Sequence, residues 1–184
     1  GSHFFDDKDT VLYAQWVLVD EVAAKLDGIE EGSVVALGKY NDKSIEWIVL
    51  EKTTDSALLL SKDVVTTRAF HTSYSDVTWE TCSLRSWLNG SFYNDSFNAI
   101  EKAHILKKNV YTSYYVTQTG DRTGVSSTDD YVFLLSFDEV RSYSSEQIGS
   151  SGSNWWLRSP GSFDRDPFGH RDELRGGGEA TGVG

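Results

Sequence analysis

Methionine is absent from this 184-residue chain, proline occurs only twice, and cysteine once, at Cys82. A lone thiol excludes an internal disulfide, and no Cys/His cluster has metal-ligand spacing, so neither metal nor cofactor is expected. Basic residues are scarce: 17 Lys and Arg stand against 28 Asp and Glu, a formal net charge of -11. So acidic a surface repels phosphate backbones, and no Lys/Arg stripe reverses the field, which argues against nucleic-acid binding. No apolar run approaches the length of a bilayer span, so direct membrane insertion is not expected. A signal peptide is also missing. Because the chain begins Gly1-Ser2-His3, which reads as a cloning scar, the whole is expected to be an excised fragment, and that absence carries no information about location.

What the chain has in quantity is aromatic side chains, 13% of its residues within a hydrophobic share of 39%. That favours a β-rich or irregular architecture over a helical bundle, and the length suits one compact domain. Asp9 to Trp16 reads as a strand, with Val11, Tyr13 and Gln15 on one face and Leu12, Ala14 and Trp16 on the other. Ser33–Gly38, Ile45–Leu50 and Ala57–Leu60 read as a meander, with a polar tip at Asn41-Asp42-Lys43. Antiparallel pairing follows from the tight loops between them. A short helix is expected from a capping Ser83 to Gly90, and a second over roughly Ser96 to Leu106, with Phe97, Ile100 and Ile105 as its apolar contacts. Tyr111 to Asp130 reads as a long Ser/Thr/Gly-rich loop, Tyr131–Leu135 as a buried strand, and Ser136 to Glu139 as a capping box opening a short helix. Ser144 to Ser153 reads as a second loop.

Five ordered segments carry a resemblance: Ile45–Leu50, Ala57–Ser61, Val77–Asn89, Val132–Ser136 and Trp155–Gly161. In order and spacing they resemble a family of uncharacterised surface domains common in Gram-positive gut bacteria, from about Gly32 to the C-terminus. The resemblance implies an α+β, C-type-lectin-like fold of the kind seen in formylglycine-generating enzymes and in variable proteins diversified by retroelements: antiparallel sheets, two or three short helices and long loops. Thr10–Trp16 looks like the last strand of a Listeria–Bacteroides (internalin-type) repeat, which implies a stalked protein outside the cell. The expected organisation is a cloning scar at residues 1–3, the end of a preceding repeat or a linker at 4–27, and the C-type-lectin-like domain at 28–184. Where the family continues into a closing strand, this chain stops at Gly184, so a strand-completing partner at the C-terminal edge is a further expectation.

In the diversified proteins the segment corresponding to residues 162–179 is exposed and changeable. Here it combines spaced apolar side chains with dense charge and glycine, a composition suited to an interface. The candidate ligand-binding residues are therefore Phe163, Asp164, Arg165, Asp166, Phe168, His170, Arg171, Asp172, Glu173 and Arg175, and the expected partner is a protein or a glycan. Salt bridges among these charges are the default over calcium, because the acidic residues lack ordered ligand spacing. Trp155 and Trp156 are expected on alternate sides of a strand, packed on the core, and Arg158 on a carboxylate or carbonyls instead of a ligand. Cys82 is expected to be an inert packed thiol, since a copper site of the formylglycine-generating type needs a cysteine pair. His71, His104 and His170 lie far apart and suggest no nucleophile–base pair. The expected function is non-enzymatic ligand recognition or adhesion at a bacterial cell surface. A structural spacer is the alternative, and an enzyme on the same fold ranks last.

Overall fold

A computed structural model describes residues 10–18, 28–73, 77–112, 115–116, 122–123, 126–148, 155–159 and 179–180. The architecture is α+β, built mostly from antiparallel sheet with a few short helices. Its largest sheet has five antiparallel strands. It starts from β3 (Val34–Tyr40) and β4 (Lys43–Lys52), joined by a two-residue turn in which Asn41 and Asp42 both take positive φ, 49° and 62°. That is the geometry whose twist suits a tight hairpin, and Asn and Asp are the side chains that tolerate it best. Next comes β5 (Ser56–Ser61), buried along its whole length, with β4 on one side and β2 (Ala14–Leu18) on the other. Leu58, Leu59 and Leu60 each contribute about 1.5–3 kcal/mol by leaving water. Beyond β2 lies the short β7 (Ile105–Leu106), giving the order β3-β4-β5-β2-β7. The strand that resembles the end of a repeat thus sits inside this sheet, and Leu12, Tyr13, Ala14 and Val17 all belong to the core.

Thr10 to Trp16 is two strands and not one. β1 (Thr10–Val11) pairs in parallel with β12 (Trp155–Trp156) and antiparallel with β6 (Thr66–Thr67), and the chain then breaks at Leu12-Tyr13 before entering β2. Leu12, Tyr13, Ala14 and Gln15 are all buried, so both faces of the chain are covered there.

Helix α1 (Ser83–Trp87) is capped by Cys82, whose sulfur accepts from Arg85 N at 3.4 Å, so the cap lies one residue before the expected serine. Nor does Gly90 stop the helix. A wide π-type turn over Leu88–Phe92, kinked at Gly90, carries the chain into α2 (Tyr93–Ser96). The second expected helix is shorter than its pattern suggested: α3 spans Ala99–His104 with a capping box between Asn98 and Glu101. Ile100 is 65% exposed, and the core contacts come from Phe97 before the helix and Ile105 after it. The Glu101 carboxylate also accepts from Gly38 N at 3.0 Å. Gly38 has φ 73°, and a Cβ there would meet the Phe97 ring at 2.6 Å, so glycine is needed for conformation and for space.

The expected loop from Tyr111 to Asp130 holds strands. β8 (Lys108–Thr112) and β11 (Ser126–Asp130) pair from Ser126↔Thr112 to Asp130↔Lys108, and β9 (Tyr115–Val116) pairs with β10 (Arg122–Thr123) between them. The inward face of β11 is Ser126, Thr128 and Asp130, all buried. A strand whose core face is polar leaves no apolar alternation to read. Conversely, Tyr131–Leu135 is buried but is not a ladder strand. Its one bridge joins Phe133 to Ala14, by bonds of 2.8 and 3.0 Å. Helix α4 (Phe137–Ser142) follows with the expected Ser136/Glu139 capping box, and α5 (Ser145–Ile148) occupies part of the second expected loop.

Candidate functional site

The buried run Tyr131–Leu135 carries backbone N–H and C=O groups that a sheet would normally satisfy. Side chains from two of the sequence motifs do it here. Asn89, in the turn after α1, accepts from Tyr131 N at 2.7 Å and Val132 N at 3.3 Å, and its amide donates to Val132 O at 2.9 Å. Arg158, 3% exposed, approaches the other end. Its Nη1 donates to Leu134 O at 2.7 Å and to Glu139; Nη2 donates to Glu139 Oε1 at 2.6 Å and to Tyr111 O at 2.9 Å; Nε donates to Tyr111 O at 3.2 Å. Every guanidinium N–H is therefore engaged inside the protein. The expectation for Arg158 holds, with Glu139 as the carboxylate.

A second ion pair stands behind the first motif. Asp130, fully buried, accepts from Arg85 Nε at 2.7 Å, Trp79 Nε1 at 2.9 Å and Thr128 Oγ1 at 2.7 Å. Its two oxygens are matched to three donors, so neither is buried without a partner. Cys82 is buried between these elements and donates to Trp79 O at 3.4 Å. Burial pushes its thiol up to about 11, above the ordinary 9.0, so the thiolate is scarce at neutral pH and the thiol is a poor nucleophile.

Trp155 is buried, while Trp156 is partly exposed, packs on Phe70 at 5.5 Å and donates from Nε1 to Arg68 O at 3.0 Å. Both indoles are tied into the scaffold. His71 Nδ1 accepts from Ser83 N at 3.1 Å, and His104 Nδ1 lies 2.7 Å from Ile100 O, so each serves its local backbone.

The ten candidate ligand-binding residues, Phe163, Asp164, Arg165, Asp166, Phe168, His170, Arg171, Asp172, Glu173 and Arg175, lie outside the described residues. What the structure places are the two ends of their segment. β12 pairs antiparallel with β13 (Glu179–Ala180) in the register Trp155↔Ala180 and Trp156↔Glu179. Arg158 and Ser159 are both buried, and Glu179 lies opposite Trp156 on the same sheet.

Next to Arg158 is an open cleft of about 260 Å³ that sequence reasoning did not single out. Phe133, Arg158, Trp16, Lys108, Tyr111 and Asp138 are among the residues that line it. The Lys108 ammonium sits 5.6 Å from the Trp16 ring centre, and Arg158 packs 5.7 Å from that of Phe133. These residues come from β2, β8, α4 and the segments beside them, so nothing in local sequence groups them. Glu139 was visible only as half of a capping box. Asp130 had no signal, because it lay at the end of an apparent loop.

Among the described residues, no helix is long and apolar enough to cross a membrane, and no group of three or more His, Cys, Asp or Glu is placed to hold a metal ion. No curated protein and no solved structure matches the chain. Residues 54–169, more than half of the sequence, match the family described as "Domain of unknown function (DUF6273)", and the chain belongs to that family.

Proposed function

We propose that the protein is a non-enzymatic, extracellular ligand-recognition domain of a bacterial surface protein, built on a C-type-lectin-like scaffold, with Phe163 to Arg175 as its contact segment. The observation that carries this reading is the Trp156↔Glu179 register beside a fully engaged Arg158. Trp155–Trp156, ahead of the charged segment, and Glu179–Ala180, at its end, pair within the four-stranded sheet β13-β12-β1-β6, and the side chains of Arg158 and Ser159 are committed to the interior. A loop of variable chemistry anchored at both ends on rigid elements is how binding surfaces are commonly assembled. The antiparallel α+β architecture with short helices supports the C-type-lectin-like reading. The composition of the segment, Arg and Phe among acids and glycine, suits a protein or glycan partner.

The test is binding to glycan and host-protein arrays by the protein and by a variant with charge reversals at Asp164, Asp166 and Arg171. The expected result is a selective ligand for the parent, lost in the variant at an unchanged melting temperature. Binding that survives the reversals removes the segment from the site, and no selective ligand on either array favours a spacer.

A further inference from the structure

The cleft beside Arg158 has a chemistry of its own. Two of its lining residues are committed to the interior: Phe133 is buried, and the Arg158 guanidinium 5.7 Å from its ring centre has no N–H left to give a ligand. The rest of the lining is different. Tyr111 is 56% exposed, an unusual position for an aromatic ring, and lies on β8 with its backbone carbonyl held by Arg158. Trp16 is half-buried, and its indole N–H has no partner among the described residues. The Lys108 ammonium touches only the Trp16 ring, and the Asp138 carboxylate makes no hydrogen bond or ion pair among those residues. Unengaged donors and an unengaged acceptor therefore surround exposed aromatic surface.

We infer that this cleft is a binding subsite for one ring of a neutral saccharide. Hydroxyl groups both donate and accept, which matches the Trp16 and Lys108 donors and the Asp138 acceptor around a single ligand. A sugar ring with equatorial hydroxyls also presents a flat C–H face, which suits the exposed ring of Tyr111. The volume, about 260 Å³, lies just below the roughly 300–1,000 Å³ of drug-sized sites, the scale of one ring and not of a folded partner. Arg158 lines the cleft, and none of the lining residues belongs to the charged segment.

The experiment is a 15N–1H titration with cellotetraose and chitotetraose, whose rings are all equatorial, following the Trp16 indole N–H, assigned through Trp16→Phe. The expected result is a saturable shift at millimolar saccharide or below, weakened about fivefold or more by Tyr111→Ala and again by Asp138→Ala. Tyr111 and Asp138 are exposed side chains, so both variants are expected to fold. The same titration on the Asp164/Asp166/Arg171 reversal variant is expected to match the parent, which separates this subsite from the contact segment. No indole shift with either saccharide overturns the inference, as does a shift left intact in both alanine variants. A response to zwitterionic amino acids with none to the saccharides overturns the ligand class.

Discussion

Ala57-Leu58-Leu59-Leu60-Ser61 and Val132-Phe133-Leu134-Leu135-Ser136 are nearly the same sequence, and both are buried throughout, yet they are held in different ways. The first belongs to β5, laddered to β4 on one side and to β2 on the other, so backbone satisfies backbone. The second makes one bridge to Ala14 and relies on Asn89 at its start and Arg158 at its end. Apolar pattern dictates that a run is buried; it does not dictate which groups complete the run's hydrogen bonds. Where a neighbouring strand does so, each side chain is replaceable by another of like volume. Where an asparagine and an arginine do so, those two residues become as necessary as the core.

This contrast can be broken from either side. Deleting residues 1–18 removes β2, which flanks β5 and bridges Phe133, and takes Leu12, Tyr13, Ala14 and Val17 from the core. The expected outcome is loss of cooperative unfolding by circular dichroism. Arg158→Ala takes the guanidinium from Leu134 O and Tyr111 O and leaves Glu139 with only the Ser136 N–H of its capping box, and should cost about 3–5 kcal/mol in denaturant titration. Asn89→Ala strips the start of the second run of its partners while removing little apolar area, and about 1–3 kcal/mol is expected. The matching change in the first run is smaller. Ser61→Ala loses the single bond from Tyr13 N, 2.9 Å long, for about 1 kcal/mol, because the β5 ladders remain. If Asn89→Ala proved as mild as Ser61→Ala, the distinction between the two runs would collapse.

The same distinction explains what the sequence revealed. The β3–β4–β5 meander was readable because aliphatic residues alternate or run together between turn residues, and the Asn41-Asp42 turn announced itself. The Ser136/Glu139 capping box was readable because both partners lie three residues apart. The β8–β11 hairpin was not, since Ser126, Thr128 and Asp130 face inward and present the composition of a loop. The ends of α1 and α3 shifted because a cysteine capped the first and loop residues supplied the contacts of the second. Arg158 was readable in kind, as a clamp, but its partners were 19 to 47 residues away. The cleft was invisible for a similar reason: Trp16, Lys108, Tyr111 and Asp138 meet only through the fold.

The proposed contact segment, Phe163 to Arg175, is expected to add nothing to the stability of the scaffold that holds Arg158 and Ser159. The most direct measurement is the melting temperature of a variant in which residues 162–178 are replaced by a Gly/Ser linker of equal length. The expected result is a cooperative transition within about 2 °C of the parent, as for other surface changes. A fall of more than about 10 °C, the scale of several kcal/mol lost from a domain of this size, would contradict it and make the segment part of the core.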